Sequence, residues 1–345
     1  MTTRPVRKTI PVVRAASMMP LLKWLLQRGR PVEEMLRAAG IGYVWLEDPY
    51  APVPVRALEH IVIQAARLDG PDVGCKIITE SSLHDLAALG TIALGAPTPR
   101  AAITRVSMAM PWHCSDEIIS TTPGKKTTLI QDFWSLDLDR EALHIFHQFI
   151  AGMFQMVVRL APCGEPALTR VSIVPHPVHG IDHLRPWFSG EIVAASRPVL
   201  GVTVRNAALD APYRSPARER PMLDTYPWQR LRDGTMTGSA RYLIEAMLRD
   251  GAPTIGRMAQ VSDMSVRTLQ RRLGEEGTTF SDLVEQVRRD AALKELHNAA
   301  GSIGDVSAHI GYARQSSLSR AMRRWTGHSP ADLRAGRSAT EKSAG

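Results

Sequence analysis

Hydrophobic and polar positions along the chain change rhythm near residue 239. Before it, segments of helical and of strand period alternate; after it, apolar residues recur almost wholly at helical spacing. The longest pattern spans Asp139 to Leu160. At about 100° per residue, Phe146, Phe149, Ile150, Met153, Val157 and Leu160 share one face. Shorter helices are expected at Met18 to Gln27, Val32 to Ala39 and Thr98 to Met110, the last opened by a Thr-Pro pair whose proline suits a first turn. Ser115 to Ser120 and Thr127 to Leu136 can pair as strands across Pro123-Gly124-Lys125-Lys126, a turn-type sequence. Leu168 to Val174 and Val199 to Val204 are further strands.

Between Asp210 and Gly238 the periodicity fails. Pro212, Pro216, Pro221 and Pro227 oppose regular structure, and Gly234 and Gly238 follow. Helix is expected to resume at Ser239, a residue suited to N-capping. The predicted organisation is a basic tail at 1–17, an α+β regulatory domain at 18–210, a connector at 211–238, an all-α domain at 239–335 and a tail at 336–345.

Composition narrows the function. A chain of 345 residues exceeds one ordinary core. No apolar run nears the roughly 18 residues that span a bilayer, and no secretory-type stretch follows the basic Met1–Arg14 segment. A cytoplasmic, nucleoid-associated protein without a membrane partner is the expectation. Cys75, Cys114 and Cys163 are dispersed, which fits a reducing compartment and shows no paired zinc spacing. The formal net charge is +8, and residues 239–345 hold half of that excess. An acidic partner follows, and placement of the charge decides which.

In the all-α region, Thr254 to Ala259 and Ser265 to Leu273 read as two helices joined by a turn at Ser262-Asp263. Ala259 is small enough for a close crossing. Val266, Leu269 and Leu273 form the expected buried stripe of the second helix, opposite Arg267, Gln270, Arg271 and Gly274. The arrangement recurs: Ile303 to His309 with small Ala308, a turn at Gly311, then Arg314 to Trp325. There Leu318, Ala321, Met322 and Trp325 face inward and Gln315, Ser316, Ser319, Arg320, Arg323 and Arg324 outward. Neither second helix, so bounded, carries an acid. Arginine and glutamine on such a stripe can hydrogen-bond guanine and adenine edges. The amphipathic Ser281 to Asn298 segment, about 27 Å long as a helix, is long enough to set two such helices into successive major grooves of double-stranded DNA.

These segments resemble the AraC/XylS family of bacterial transcription regulators. The resemblance rests on Ser265 through Leu273, on Ile310-Gly311-Tyr312 through Ala321, and on Arg324-Trp325-Thr326-Gly327-His328-Ser329-Pro330. It implies a double helix-turn-helix whose DNA-binding set falls on Arg267, Thr268, Gln270, Arg271, Gln315, Ser316, Arg320 and Arg324. Leu318, Met322 and Leu333 depart from the family's usual aromatics, and Ser262-Asp263 from its usual Leu-Gly turn. Residues 18–225 resemble the arabinose-binding-like sensor domain of one branch, through Arg37-Ala38-Ala39-Gly40-Ile41, Leu89-Gly90 leading to Thr98-Pro99, and His176-Pro177 followed by Trp187-Phe188. The resemblance implies a promoter-binding activator that works with RNA polymerase, forms a homodimer and answers to a small effector.

Other chemistry was weighed on the same residues. Glu141, His144 and His147 have helical spacing, but with Gln148, Gln155 and Arg159 they read as a solvated face. His176, His179, Asp182 and His183 sit among prolines and read as a loop. Trp112-His113-Cys114 reads as a structural cluster. No metal, cofactor or catalytic residue is expected, and no P-loop, Gly-x-Ser-x-Gly or dinucleotide fingerprint is present. A repair methyltransferase fusion would need four clustered thiolates, against three dispersed cysteines. Two effector classes stay open: a metabolite or fatty acid in an apolar cavity, or a phosphate-rich second messenger on Arg214, Arg218 and Arg220. A regulatory domain that only dimerises is the third reading.

Overall fold

The computed structural model describes residues 9–162, 164–214, 231, 234–251, 253–297, 302–312 and 314–335. The chain divides into two compact units, Pro11–Asp233 and Met1–Ile10 with Gly234–Gly345.

The first unit opens with strand β1 (Val12–Arg14), helices α1 (Met19–Gln27) and α2 (Val32–Ala38), strand β2 (Pro52–Pro54) and helix α3 (Val55–Asp69). Three short helices follow, α4 (Val73–Lys76), α5 (Ser82–Asp85) and α6 (Ala88–Leu94), then α7 (Pro99–His113). The rest is β3 (Glu117–Pro123), β4 (Thr127–Trp134), α8 (Arg140–Arg159), β5 (Arg170–Ile173), β6 (Glu191–Ala194), β7 (Val199–Arg205) and α9 (Asn206–Asp210). The α+β expectation holds.

The segment expected as a basic tail enters the core instead. Val12 and Val13 are buried, and β1 pairs antiparallel with β2, Val12 opposite Pro54. Its charges lie before it, while Ile10-Pro11-Val12-Val13 is apolar and extended, so strand pairing wins. The five-stranded sheet runs β3-β4-β7-β5-β6, antiparallel except for the β5–β6 pair. The expected hairpin forms, with Gly124 N–H donating to Thr127 O at 2.8 Å across the turn.

Helix α8 is the centre of this unit. Asp139 caps it, accepting from the Glu141 amide at 2.8 Å. Its apolar face forms the core as expected, but its polar face is solvated only in part: Arg159 is exposed, whereas His144, His147 and Gln148 are fully buried. The reason is packing on both sides. Gln148 Nε2 donates to Pro71 O at 2.7 Å, and its oxygen accepts from the Cys75 amide at 3.3 Å. Gly74 permits this approach, since a Cβ there would lie 2.4 Å from Ile145 O.

The second unit is helical: α10 (Met236–Arg249), α11 (Ile255–Val261), α12 (Val266–Glu275), α13 (Phe280–His297), α14 (Ile303–His309) and α15 (Gln315–Thr326). Helix α10 starts earlier than expected. Thr235 is its N-cap, and Glu276 accepts from the Met236 and Thr237 amides at 2.8 and 2.7 Å. Ser239 lies inside the helix, its hydroxyl donating back to Thr235 O at 3.0 Å. A second capping source, remote in sequence, thus moved the boundary. Helix α10 packs against α11, α12 and α13.

Candidate nucleic-acid interface and effector cavity

Each helix-turn-helix is set by a cap and a left-handed turn residue. Thr254 caps α11, accepting from the Arg257 amide, and Asp263 turns the chain at φ 52°. Asp is among the few residues that tolerate that backbone. Ser265 then caps α12 by accepting from the Thr268 amide at 3.1 Å. In the second unit Ser302 and Asp305 form a reciprocal capping box on α14, and Gly311 turns the chain at φ 76°.

The seams beneath the two second helices are apolar. In α12, Leu269 and Leu273 are wholly buried; Val266, expected with them, is 38% exposed because it occupies the first turn. In α15, Leu318, Ala321 and Met322 are buried, and Leu318 and Met322 pack with Ala292, Leu296, Val306 and Ile310. Burial of each leucine is worth about 1.5–3 kcal/mol, enough to fix which face points out. The small buried residue of α14 is Ser307, not Ala308, which is exposed.

All eight expected DNA-facing residues lie on the outer faces of α12 and α15, with Thr268 half-buried and the others exposed. They fall into two groups. Among the described residues, the side chains of Arg267, Gln270, Gln315, Ser316 and Arg320 make no hydrogen bond or ion pair within the protein. The other three are engaged. Arg271 pairs with Glu275, since α12 runs past Leu273 and so does carry an acid. Arg324 pairs with Glu285 of α13 at 2.7 Å, alongside Trp325 Nε1 at 2.6 Å from the same carboxylate. The Thr268 hydroxyl lies 2.8 Å from Ser265 Oγ. Arg323, also exposed on α15, extends the basic face.

The first unit contains a partly open cavity of about 130 Å³. The apolar face of α8 lines it through Phe146, Phe149, Ile150, Met153 and Val157, facing Leu58, Leu89 and Met110. Its polar lining is Ser17, His113, Glu117 and the Trp134 indole. His113 Nε2 lies 2.6 Å from Ser17 Oγ, and burial, with Arg14 nearby, pushes this ring down to about 3. His113 therefore belongs to a pocket wall rather than only to a structural cluster; Cys114 beside it is buried, and its thiol is pushed up.

A histidine group gathers at α8. His144 Nδ1 lies 2.6 Å from Val174 O, and its Nε2 lies 3.0 Å from His183 Nε2. His176 Nδ1 accepts from the Val178 and His179 amides, both at 3.1 Å. This commits the His144 Nε2 lone pair and leaves the neutral His176 proton on Nε2. Among the described residues no group of three or more His, Cys, Asp or Glu side chains is placed to hold a metal ion. Arg214 is exposed, whereas Arg218 and Arg220 lie outside the described residues, as does most of the connector. Among the described residues no helix is long and apolar enough to cross a membrane.

Residues 258–336 match a helix-turn-helix domain, and residues 29–213 match the arabinose-binding domain of AraC transcription regulators. The HTH-type transcriptional regulator VirS of Mycobacterium tuberculosis is 27% identical over 288 residues, covering 81% of this chain and 83% of VirS. The regulator VqsM of Pseudomonas aeruginosa is 34% identical over 100 residues, 28% of this chain and 31% of VqsM. The crystal structure of CdpR from Pseudomonas aeruginosa is 20% identical and aligns over 93% of this chain and 98% of that one, with a TM-score of 0.41. These matched families and relatives are transcription regulators rather than enzymes. With a sensor-type match over more than half its length and a helix-turn-helix match beyond it, the chain belongs to the AraC family of DNA-binding transcription regulators.

Proposed function

We propose that the protein activates transcription by binding an asymmetric promoter site through α12 and α15, under control of a small effector held by the first unit. The observation that carries the DNA half is the paired geometry: Leu269 and Leu273, then Leu318, Ala321 and Met322, are buried, leaving polar stripes outward. Arg267, Gln270, Gln315, Ser316 and Arg320 read base edges in successive major grooves. Arg271, Arg324 and Thr268 join them, the two arginines exchanging Glu275 and Glu285 for DNA. Bound as a homodimer, the protein recruits RNA polymerase. The activator reading draws support from the transcriptional activator NphR of a Rhodococcus species, 35% identical over 88 residues.

Footprinting on the promoter it controls is the test. Arg320→Ala should weaken binding by about 1–3 kcal/mol and relax specificity at particular bases. Affinity should fall steeply as salt rises, because neutralised phosphates release counterions. An unchanged footprint for Arg267→Ala, Gln270→Ala and Arg320→Ala together would overturn the assignment.

The effector half is supported by the cavity, since a domain that only dimerises has no need of an internal apolar space with polar groups in its wall. Such an effector must bind the active and inactive states with different affinity.

A further inference from the structure

The register of the β3–β4 hairpin sets two carboxyls side by side, Glu117 in the cavity wall and Asp132 behind it. Glu117 lies opposite Trp134 and Ile119 opposite Asp132, so these four side chains share one sheet face. Glu117, Ile119 and Trp134 line the cavity. Asp132 is completely buried, with Glu117 and Trp134 as its close neighbours, and neither of its oxygens meets an N–H or O–H at bonding distance. Among the described residues no lysine or arginine pairs with either carboxyl or lines the cavity. A buried anion without a partner is costly. Burial pushes both groups upward, Glu117 to about 7, and the neighbouring Glu117 charge raises Asp132 further.

His113 adds an independent sign. It is 3% exposed, it lines the cavity, and its Nδ1 has no hydrogen-bond partner among the described residues. With Ser17 and Glu117 it makes this part of the wall polar, where the rest of the lining is almost wholly hydrocarbon.

We infer that this cavity takes a small apolar amine, whose cationic nitrogen seats on Glu117, with Asp132 behind it, while its hydrocarbon body fills the space against α8. The inference rests on the effector reading above and names its ligand class. An ammonium group supplies the charge the pair lacks and N–H donors for the Glu117 oxygens. The neutral His113 does not repel it. Anionic effectors are disfavoured: a fatty-acid carboxylate or a cyclic dinucleotide phosphate would face two carboxyls and no cation. The scale is that of a small ring or short chain, since an apolar cavity of about 150 Å³ admits benzene and this one, open on one side, measures about 130 Å³.

Benzylamine, benzyl alcohol and benzoate, matched in shape and differing in charge, are the probes for titration calorimetry on the full chain. Benzylamine is expected to bind one per chain, about tenfold or more tighter than benzyl alcohol, with benzoate weakest. Glu117→Gln and Asp132→Asn, checked for folding by circular dichroism, should each weaken benzylamine about tenfold and leave benzyl alcohol within about twofold. Benzyl alcohol or benzoate binding as well as the amine, or amine binding unchanged in both variants, overturns the amine assignment while leaving a ligand cavity. Absence of binding by all three overturns the amine assignment and the effector reading together.

Discussion

Replacing His113 by Gln should remove a specific acid sensitivity from the first unit. His113 ends α7, is 3% exposed, and is pushed from 6.5 down to about 3 by burial and then by Arg14. The folded protein therefore keeps this ring neutral, while the unfolded chain protonates it below its ordinary value. The sign follows: the stability is present above pH 6.5 and is lost as pH falls toward 3. Each unit of the gap is worth about 1.4 kcal/mol, so the loss between pH 7 and pH 5 is about 2 kcal/mol. That is a large share of a typical 5–15 kcal/mol. His144 and His147 are depressed in the same direction, and the Glu117–Asp132 pair is raised and opposes them. Those contributions occur in both proteins and cancel in a comparison of wild type with His113→Gln. Urea unfolding followed by tryptophan fluorescence reports mainly this unit, since six of the seven tryptophans precede residue 234. The stability advantage of wild type over His113→Gln is expected to shrink by about 2 kcal/mol between pH 7 and pH 5. A difference that stays constant within about 0.5 kcal/mol would refute the argument.

Three further outcomes follow from other parts of the molecule. Leu318→Ala should destabilise the second unit by about 3–5 kcal/mol, whereas Ala308→Ser on the exposed side of α14 should stay within about 0.5 kcal/mol; equal effects in thermal melts would contradict the assigned seam. Glu275→Gln frees Arg271 and removes a negative charge beside the DNA-facing stripe, so promoter DNA should bind about two- to fivefold tighter by fluorescence anisotropy, and weaker binding would count against that face. Asp132→Asn should flatten a fall in melting temperature between pH 5 and pH 8. The carboxyl pair is raised in the folded state, so its contribution is present at low pH and lost as pH climbs through about 7; parallel pH curves for variant and wild type would rule this out.

Much of the fold was legible where signals are local. Asp139 and Thr98 mark the starts of α8 and α7 because capping acts within three residues. Asp263 and Gly311 mark the turns because few residues accept a positive φ. Helix α3 went unread although Leu58, Ile61, Val62 and Ala65 stand at helical spacing, because Pro52 and Pro54 obscure its start. Helices α4, α5 and α6 have four to seven residues each and no side-chain caps, so periodicity has too little length to register. The buried polar face of α8 was hidden for another reason. Its partners, Val174 O, Pro71 O and the Cys75 amide, lie 30 to 77 residues away, and polarity alone reads as solvation.

The same distinction separates the two functional regions. A recognition stripe is a property of one helix, so Arg267, Gln270 and Arg271 can be placed outward from their spacing to Leu269 and Leu273. Even so, sequence did not show that Glu275 and Glu285 engage two of the arginines, because one pair needs the last turn of α12 and the other needs α13 beside α15. The cavity is a property of the whole unit: Ser17, Leu58, Glu117 and Phe149 meet only after the hairpin, α3 and α8 have packed. The amine preference proposed for it rests on strand register, which turns Glu117 and Asp132 to one face, and on the lack of any lining cation among the described residues. Neither is visible in composition. The chain's net charge of +8 suggests an anionic ligand, whereas the one charged group in this cavity's wall among the described residues, Glu117, argues for a cationic one.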